Sequence, residues 1–127
     1  MRSLVISLIS IGILVTSWIV FVNYADKNIH ELMNMIDDDI LISANAGDWD
    51  KASDDFKNLS DKWHKQKKIY SLFIDTKAIN DTDFSIARAK KYIGTKNLSL
   101  SAGELNCIKE QLGFLHLNEI LSIENII

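Results

Sequence analysis

The sequence predicts an all-α protein in which an N-terminal transmembrane helix continues into a small antiparallel bundle of about four helices. Three observations support this fold class. The 127 residues include no proline and only five glycines, so the chain has few obligatory turns. Residues Leu4–Val22 form an apolar run without a charged side chain. The remaining apolar residues recur at intervals of three and four, which is the spacing of a helix that buries one face.

The apolar run Leu4–Val22 has the length of a membrane span. At about 1.5 Å per residue it extends about 28 Å, close to the roughly 30 Å of a bilayer's hydrocarbon core. The alternative is a cleaved signal peptide, which ends at a small-x-small site; here Asn23 stands where the first small residue before Ala25 is needed. We therefore expect an uncleaved signal-anchor in residues 1–25 and a helical extracytoplasmic domain in residues 26–127.

The orientation of the span is predicted from the charges beside it. Arg2 and the terminal amine precede the span and Lys27 follows it, so the basic residues are nearly balanced. Because the N-terminal tail is so short, we expect the N-terminus inside and the domain outside. The location expected is a bacterial cell membrane, crossed once, with the lipid bilayer as the first partner.

The first helix is predicted to run on to about Asn45, where Gly47 suits a stop and Asp48 a new N-cap. The second helix shows the clearest periodicity of the domain. Its predicted buried face consists of Trp49, Ala52, Phe56, Leu59, Trp63, Gln66, Tyr70 and Phe73. We expect Trp49 and Trp63 to be core anchors rather than ligand platforms.

The third helix is predicted to start at Asp83 as its cap, after a polar turn in residues 75–83, and to end near Gly94. A last helix begins at Leu98, and residues 118–127 form an apolar tail of about one more turn. The second and last helices align at an offset of 49 residues, which places Asp48 over Asn97, and both residues are expected to be N-caps. Either a weak helical-hairpin repeat or the general similarity of amphipathic helices explains this alignment.

Charge is unevenly distributed along the chain. The net charge is −7 over residues 26–61, +6 over residues 62–96 and −3 over residues 97–127. Oppositely charged helices that pack together explain this pattern; the alternative is that Lys62–Lys68 docks on anionic lipid or polymer. The net charge of −3 for the whole chain argues against a nucleic-acid partner.

No motif assigns a catalytic, cofactor-binding or metal-binding residue. The sequence has no phosphate loop, no H-E-x-x-H and a single cysteine, Cys107, expected to be a buried thiol. The aspartates of residues 37–39 and 48–55 lack the calcium-loop pattern and are expected on solvated faces. The three histidines His30, His64 and His116 lie on different segments and are expected at the surface.

The predicted span carries a stripe of small residues that would suit helix–helix contact. One face is formed by Ser3, Ser7, Ser10, Leu14 and Ser17. Gly12 and Thr16 offer a second face. The stripe predicts packing against a second copy or against another transmembrane protein; the alternative is that each hydroxyl bonds its own helix backbone.

The chain resembles an uncharacterised bacterial family, domain of unknown function 4363, over nearly its whole length. The resemblance rests on the apolar anchor, Trp63 and several short motifs: Gly47–Ala52, Ser71–Asp75, Ala87-Arg88, Tyr92-Ile93 and Asn125–Ile127. It implies fold and location rather than chemistry. The family pattern has a histidine directly after the Asp75 position, where this chain has Thr76, which argues against a metal or acid–base site there.

Together these observations predict a membrane-anchored, non-enzymatic helical interaction module. The alternative is an extracytoplasmic ligand-sensing domain, which would need a membrane partner because the chain has no second span to carry a signal inward. A hydrolase or metal-dependent enzyme is a third possibility, which a cleft lined by histidines and carboxylates would revive.

Overall fold

A computed structural model shows an antiparallel bundle of four helices, which confirms the predicted fold class. It describes residues 1–72 and 74–126, and the side chains of residues 1–72 and 74–115. The helices are α1 (Arg2–Asn45), α2 (Trp49–Tyr70), α3 (Thr76–Gly94) and α4 (Leu98–Ile126).

Contacts between neighbouring helices show that the helices run antiparallel, because residue numbers rise along one helix as they fall along its neighbour. On α1 and α2, Phe21 contacts Tyr70 while Glu31 binds Lys62. Further interhelical ion pairs join Lys67 with Asp83, Arg88 with Glu104 and Asp37 with Lys109. One end of the bundle therefore brings together residues near Phe21 of α1, the end of α2 and the start of α3.

The hydrophobic core begins at Phe21, and α1 contributes no buried side chain before it. The largest fully buried side chains of the other helices are Leu59, Trp63, Tyr70, Leu105, Ile108, Leu112 and Leu115. The prediction that Trp63 is a core anchor is confirmed. Trp49, predicted as its equal, is only half-buried at the first turn of α2, where one side of the helix faces solvent.

Side-chain caps define three of the helix starts. The Asp48 carboxylate accepts a hydrogen bond from Lys51 N at 3.3 Å, and the Asn97 amide oxygen accepts one from Leu100 N at 3.0 Å, as predicted. Gly47 supplies the left-handed turn before α2, at φ +76°. The prediction that Asp83 caps the third helix is wrong, because α3 already starts at Thr76.

Asp75 is the cap of α3, since its carboxylate accepts a hydrogen bond from Lys77 N at 3.1 Å. The helix therefore includes the segment predicted to be a turn. Helix α2 ends at Tyr70, before the predicted Phe73, which lies outside the described residues. The backbone of α4 stays helical through residues 118–126, so the apolar tail extends that helix by more than the single turn expected.

A π-helical segment, Met35–Ile40, interrupts the α-helical hydrogen bonding of α1. The buried residues Leu32, Ile36, Ile40 and Ala44 are four apart, and each such step moves about 40° around an ordinary α-helix. The wider π turn rotates successive residues by a smaller angle and offsets this drift. It therefore keeps the whole second half of α1 facing the core.

Candidate functional site

The N-terminal half of α1 presents an apolar surface that the bundle leaves uncovered. Between Leu4 and Val20, eleven large aliphatic side chains are each 52–69% exposed. A core helix of a soluble protein would bury these side chains. A helix that is apolar on all sides is stable inside a protein or inside a bilayer. Among the described residues, α1 alone is long and apolar enough to cross a membrane, as predicted.

The bundle meets this apolar segment at Phe21. The Phe21 ring lies 6.2 Å from the Tyr70 ring in an edge-on arrangement and 5.9 Å from the Trp18 ring. Phe21 is 6% exposed, whereas Tyr24, one turn further along α1, is partly open to solvent. The end of α2 thus approaches the last turn of the predicted span.

The small residues of the anchor divide between two environments. The Ser7 hydroxyl donates to the Ser3 carbonyl at 2.8 Å, and the Ser10 hydroxyl donates to the Ile6 carbonyl at 2.9 Å. These bonds match the alternative in which serine satisfies its own helix. The second face, formed by Gly12 and Thr16, lies in an open groove of about 730 Å³. The groove is lined by Ile9, Gly12, Ile13, Thr16, Ser17, Val20, Phe21, Tyr24 and Ile69.

The basic segment Lys62–Lys68 is used in part to hold the bundle together. The Lys62 ammonium donates to Glu31 on α1, and the Lys67 ammonium lies 3.0 Å from an Asp83 oxygen on α3. Lys65 and Lys68 are exposed. Attraction between oppositely charged helices therefore accounts for two lysines of the segment.

A polar cluster between α2 and α3 is the feature that sequence reasoning missed. The Trp63 indole N–H donates to Asp83 Oδ1 at 2.6 Å, and the Lys67 ammonium donates to Asp83 Oδ2 at 3.0 Å. Both carboxylate oxygens are thus engaged by α2. The interval of 20 residues from Trp63 to Asp83 gives no signal in the sequence. Asp75 as the cap of α3 would have been the available signal, because a helix that starts at Thr76 includes Asp83 within it.

The histidines of the described residues are exposed and bonded locally. His30 Nδ1 lies 2.9 Å from the Asp26 carbonyl oxygen, and His64 Nδ1 lies 2.6 Å from the Ser60 carbonyl oxygen. The His116 side chain lies outside the described part of the chain. In residues 1–72 and 74–115, no three His, Cys, Asp or Glu side chains form a group that could hold a metal ion.

One surface groove does combine a histidine with carboxylates. It has a volume of about 720 Å³ and is lined by Asp26, Lys27, His30, Glu31, Asn34, Met35, Asp38 and Asp39. All of these side chains come from α1, and Glu31 is engaged by Lys62. The groove is the solvated side of one helix rather than a cleft in which groups from several elements converge.

Cys107 is half-buried rather than fully buried as expected, with its Sγ 3.9 Å from the Ser85 hydroxyl between α3 and α4. Ser85 also accepts a hydrogen bond from Arg88, at 3.1 Å. The hydrogen bond from Arg88 to the Glu104 carboxylate raises the pKa of the guanidinium above its usual value. This set of contacts joins two helices and leaves the thiol partly accessible.

Comparison with protein families places this fold in a known group. The model of a family described as Domain of unknown function (DUF4363) matches residues 19–126, so the chain belongs to that family. The match begins near the end of the apolar segment, and residues 1–18 lie outside it. None of the curated proteins and none of the solved structures compared with the chain matches it.

Proposed function

We propose that this member of the family is a single-pass membrane protein whose bundle is a non-enzymatic interaction module held at the bilayer surface. The observation that supports this most directly is the exposure of the aliphatic side chains between Leu4 and Val20. Immersed in a bilayer, the eleven residues at roughly −0.3 to −0.6 kcal/mol each favour insertion by about −3 to −7 kcal/mol. The proposed topology has the N-terminus inside, with Arg2 on the cytoplasmic side of the span.

Charged side chains that bind one another between the helices support an interaction module. Asp83 is engaged by Trp63 and Lys67, and Glu104 by Arg88. A catalytic site instead brings a nucleophile, a base and a stabilising group together around one open position. The contacts of these residues hold helices to each other, which is the work of a structural scaffold.

Membrane fractionation of paired variants tests the anchor. Ile11→Asp combined with Leu14→Asp places two carboxylates at the centre of the predicted span. Each aspartate there costs about 2.5–3.5 kcal/mol, so the pair cancels most or all of the favourable insertion energy. The matched control is Ile42→Asp, which replaces an aliphatic residue of similar exposure near the distal end of the same helix.

The wild-type chain and Ile42→Asp should stay with the membranes after extraction at alkaline pH, and the double variant should lose its membrane association. Intact mass must match the full chain, because loss of the first 25 residues would identify a cleaved signal peptide. A double variant that remains as firmly bound as the wild type would show that this segment is not the anchor.

A further inference from the structure

The register between α1 and α2 sets the height of the bundle above the proposed membrane. Phe21 is the penultimate residue of the predicted span, and its ring lies 6.2 Å from that of Tyr70. Helix α1 is continuous from Arg2 to Asn34, so no break separates the span from the bundle. If α1 crosses the bilayer, Tyr70 lies level with the edge of the hydrocarbon core.

The residues on either side of Tyr70 suit the membrane interface. Leu72 is 76% exposed in the turn between α2 and α3, and Ile69 is also open to solvent. Tyr24 and Trp18 flank the same level on α1, and aromatic residues with a polar group are enriched at this depth of a bilayer. An interfacial position removes these apolar side chains from water.

Two lysines lie at the height of the lipid headgroups. Lys68 and Lys65 precede Tyr70 by two and five residues, which is about 3 and 7.5 Å along the axis of α2. The headgroup layer on each side of a bilayer is roughly 5–8 Å thick. Lysine side chains extend their charged ends into this layer while their stems cover apolar surface.

The segment that ends α2 and begins α3 carries the sign of charge that anionic lipids require. Residues 65–81 include four lysines and two aspartates in a chain of net charge −3. Both aspartates are engaged by Lys77, because Asp75 accepts from its backbone N–H and Asp81 from its ammonium. Lys68 borders a pocket of about 220 Å³ that Ser71 and Thr76 also line, together with the paired Lys67 and Asp83.

We infer that this end of the bundle docks on anionic phospholipid headgroups of the same membrane that α1 enters. Leu72 lies in the interface, and Lys65 and Lys68 bind headgroup phosphates. This inference rests on the proposed function, because it takes its depth from the membrane position of α1. Each lysine near an anionic surface favours the docked state by about fivefold.

The test uses the full chain reconstituted in vesicles. A fluorophore is attached at Leu72→Cys or, at the far end of the bundle, at Ala46→Cys, in both cases with Cys107→Ser. The vesicles contain either phosphatidylcholine alone or equal parts of phosphatidylcholine and phosphatidylglycerol, with a trace of lipid that carries a nitroxide quencher on its headgroup. Quenching then reports how close each labelled site lies to the headgroups.

The label at position 72 should be quenched more strongly than that at position 46, and more strongly with phosphatidylglycerol than without it. Lys65→Gln with Lys68→Gln should lower the ratio of docked to undocked protein by about 25-fold and remove the dependence on phosphatidylglycerol. The matched control, Lys90→Gln with Lys91→Gln, changes two exposed lysines near the distal end of α3 and should leave quenching unchanged.

Equal quenching at the two sites, or quenching at position 72 that ignores both phosphatidylglycerol and the lysine changes, would overturn the inference. Flotation of the vesicles separates this result from failure of the anchor. Protein that floats with the vesicles while its label ignores the lipid retains the proposed function and loses only the docking. Protein that does not float contradicts both.

Discussion

Replacement of Trp63 by alanine should be the most damaging single change in the bundle. The side chain is fully buried, packs 6.0 Å from the Tyr70 ring and donates a hydrogen bond to Asp83. Truncating a buried tryptophan costs about 3–5 kcal/mol, from lost burial and from the cavity that remains. The change also leaves an Asp83 oxygen without its donor, which moves the expected cost toward the upper end of this range.

The assay is thermal unfolding of the full chain in detergent micelles, followed by far-UV circular dichroism. For a domain of about 100 residues, each kcal/mol lowers Tm by about 4–8 °C, so Trp63→Ala should lower it by about 12 °C or more. Trp63→Phe keeps an aromatic ring and removes the hydrogen-bond donor, so its Tm should lie between those of the wild type and Trp63→Ala. Trp49→Ala is the matched control, because Trp49 is half-buried on the same helix.

A Trp63→Ala variant that melts within about 2 °C of the wild type would contradict this prediction, because such a shift corresponds to less than about 1 kcal/mol. Equal losses of stability in the Trp49 and Trp63 variants would contradict it as well. The periodicity of the sequence treats these two tryptophans as equivalent, whereas the structure buries Trp63 fully, bonds it to Asp83 and leaves Trp49 half-buried.

Three further changes test other contacts. Asp83→Ala should lower the free energy of unfolding by about 1.5–3 kcal/mol in denaturant titrations. The double variant with Lys67→Ala should be little less stable than Asp83→Ala alone. A reporter fused to the C-terminus should be active outside the cytoplasm, and strong cytoplasmic activity would reverse the topology. Replacing Ser7, Ser10 and Ser17 with leucine should weaken self-association or copurification with membrane partners; if neither changes, the segment is only a tether.

The periodicity of the sequence was sufficient to predict the fold class and most of the core. Apolar residues at intervals of three and four identify a buried face wherever a helix packs against its neighbours, as α2 and α4 do here. The caps Asp48 and Asn97 were also predictable, because short polar side chains next to a break in the pattern accept the first free backbone N–H groups.

The start of α3 could not be predicted in the same way. Both Asp75 and Asp83 precede residues with helical spacing, and either can cap a helix. Tertiary contacts decide which of the two is the cap, because two donors from α2 hold Asp83 inside the helix. Asp75 then remains to accept from Lys77 N. The π segment of α1 also agrees with the packing, since its wider turn offsets the drift of the three four-residue steps from Leu32 to Ala44.

The level of the Leu72 turn relative to the proposed membrane depends on a contact between helices that sequence patterns do not reveal. The apolar run predicts where α1 enters a bilayer, and the periodicity of α2 predicts that Tyr70 is buried, but neither relates the two positions. The contact between Phe21 and Tyr70 does so, and it brings the turn at Leu72 to the level of the proposed interface.

The continuity of α1 has a mechanical consequence for the proposed interaction module. Sharp kinks in helices arise mainly at proline, glycine and π segments. Between Gly12 and Met35, α1 has none of these, so the proposed span and the first half of the bundle helix move as one rod. A partner that tilts the span in the bilayer therefore tilts the bundle through the same angle. Docking at Leu72 would resist that tilt, since it holds the bundle to the membrane at a second point.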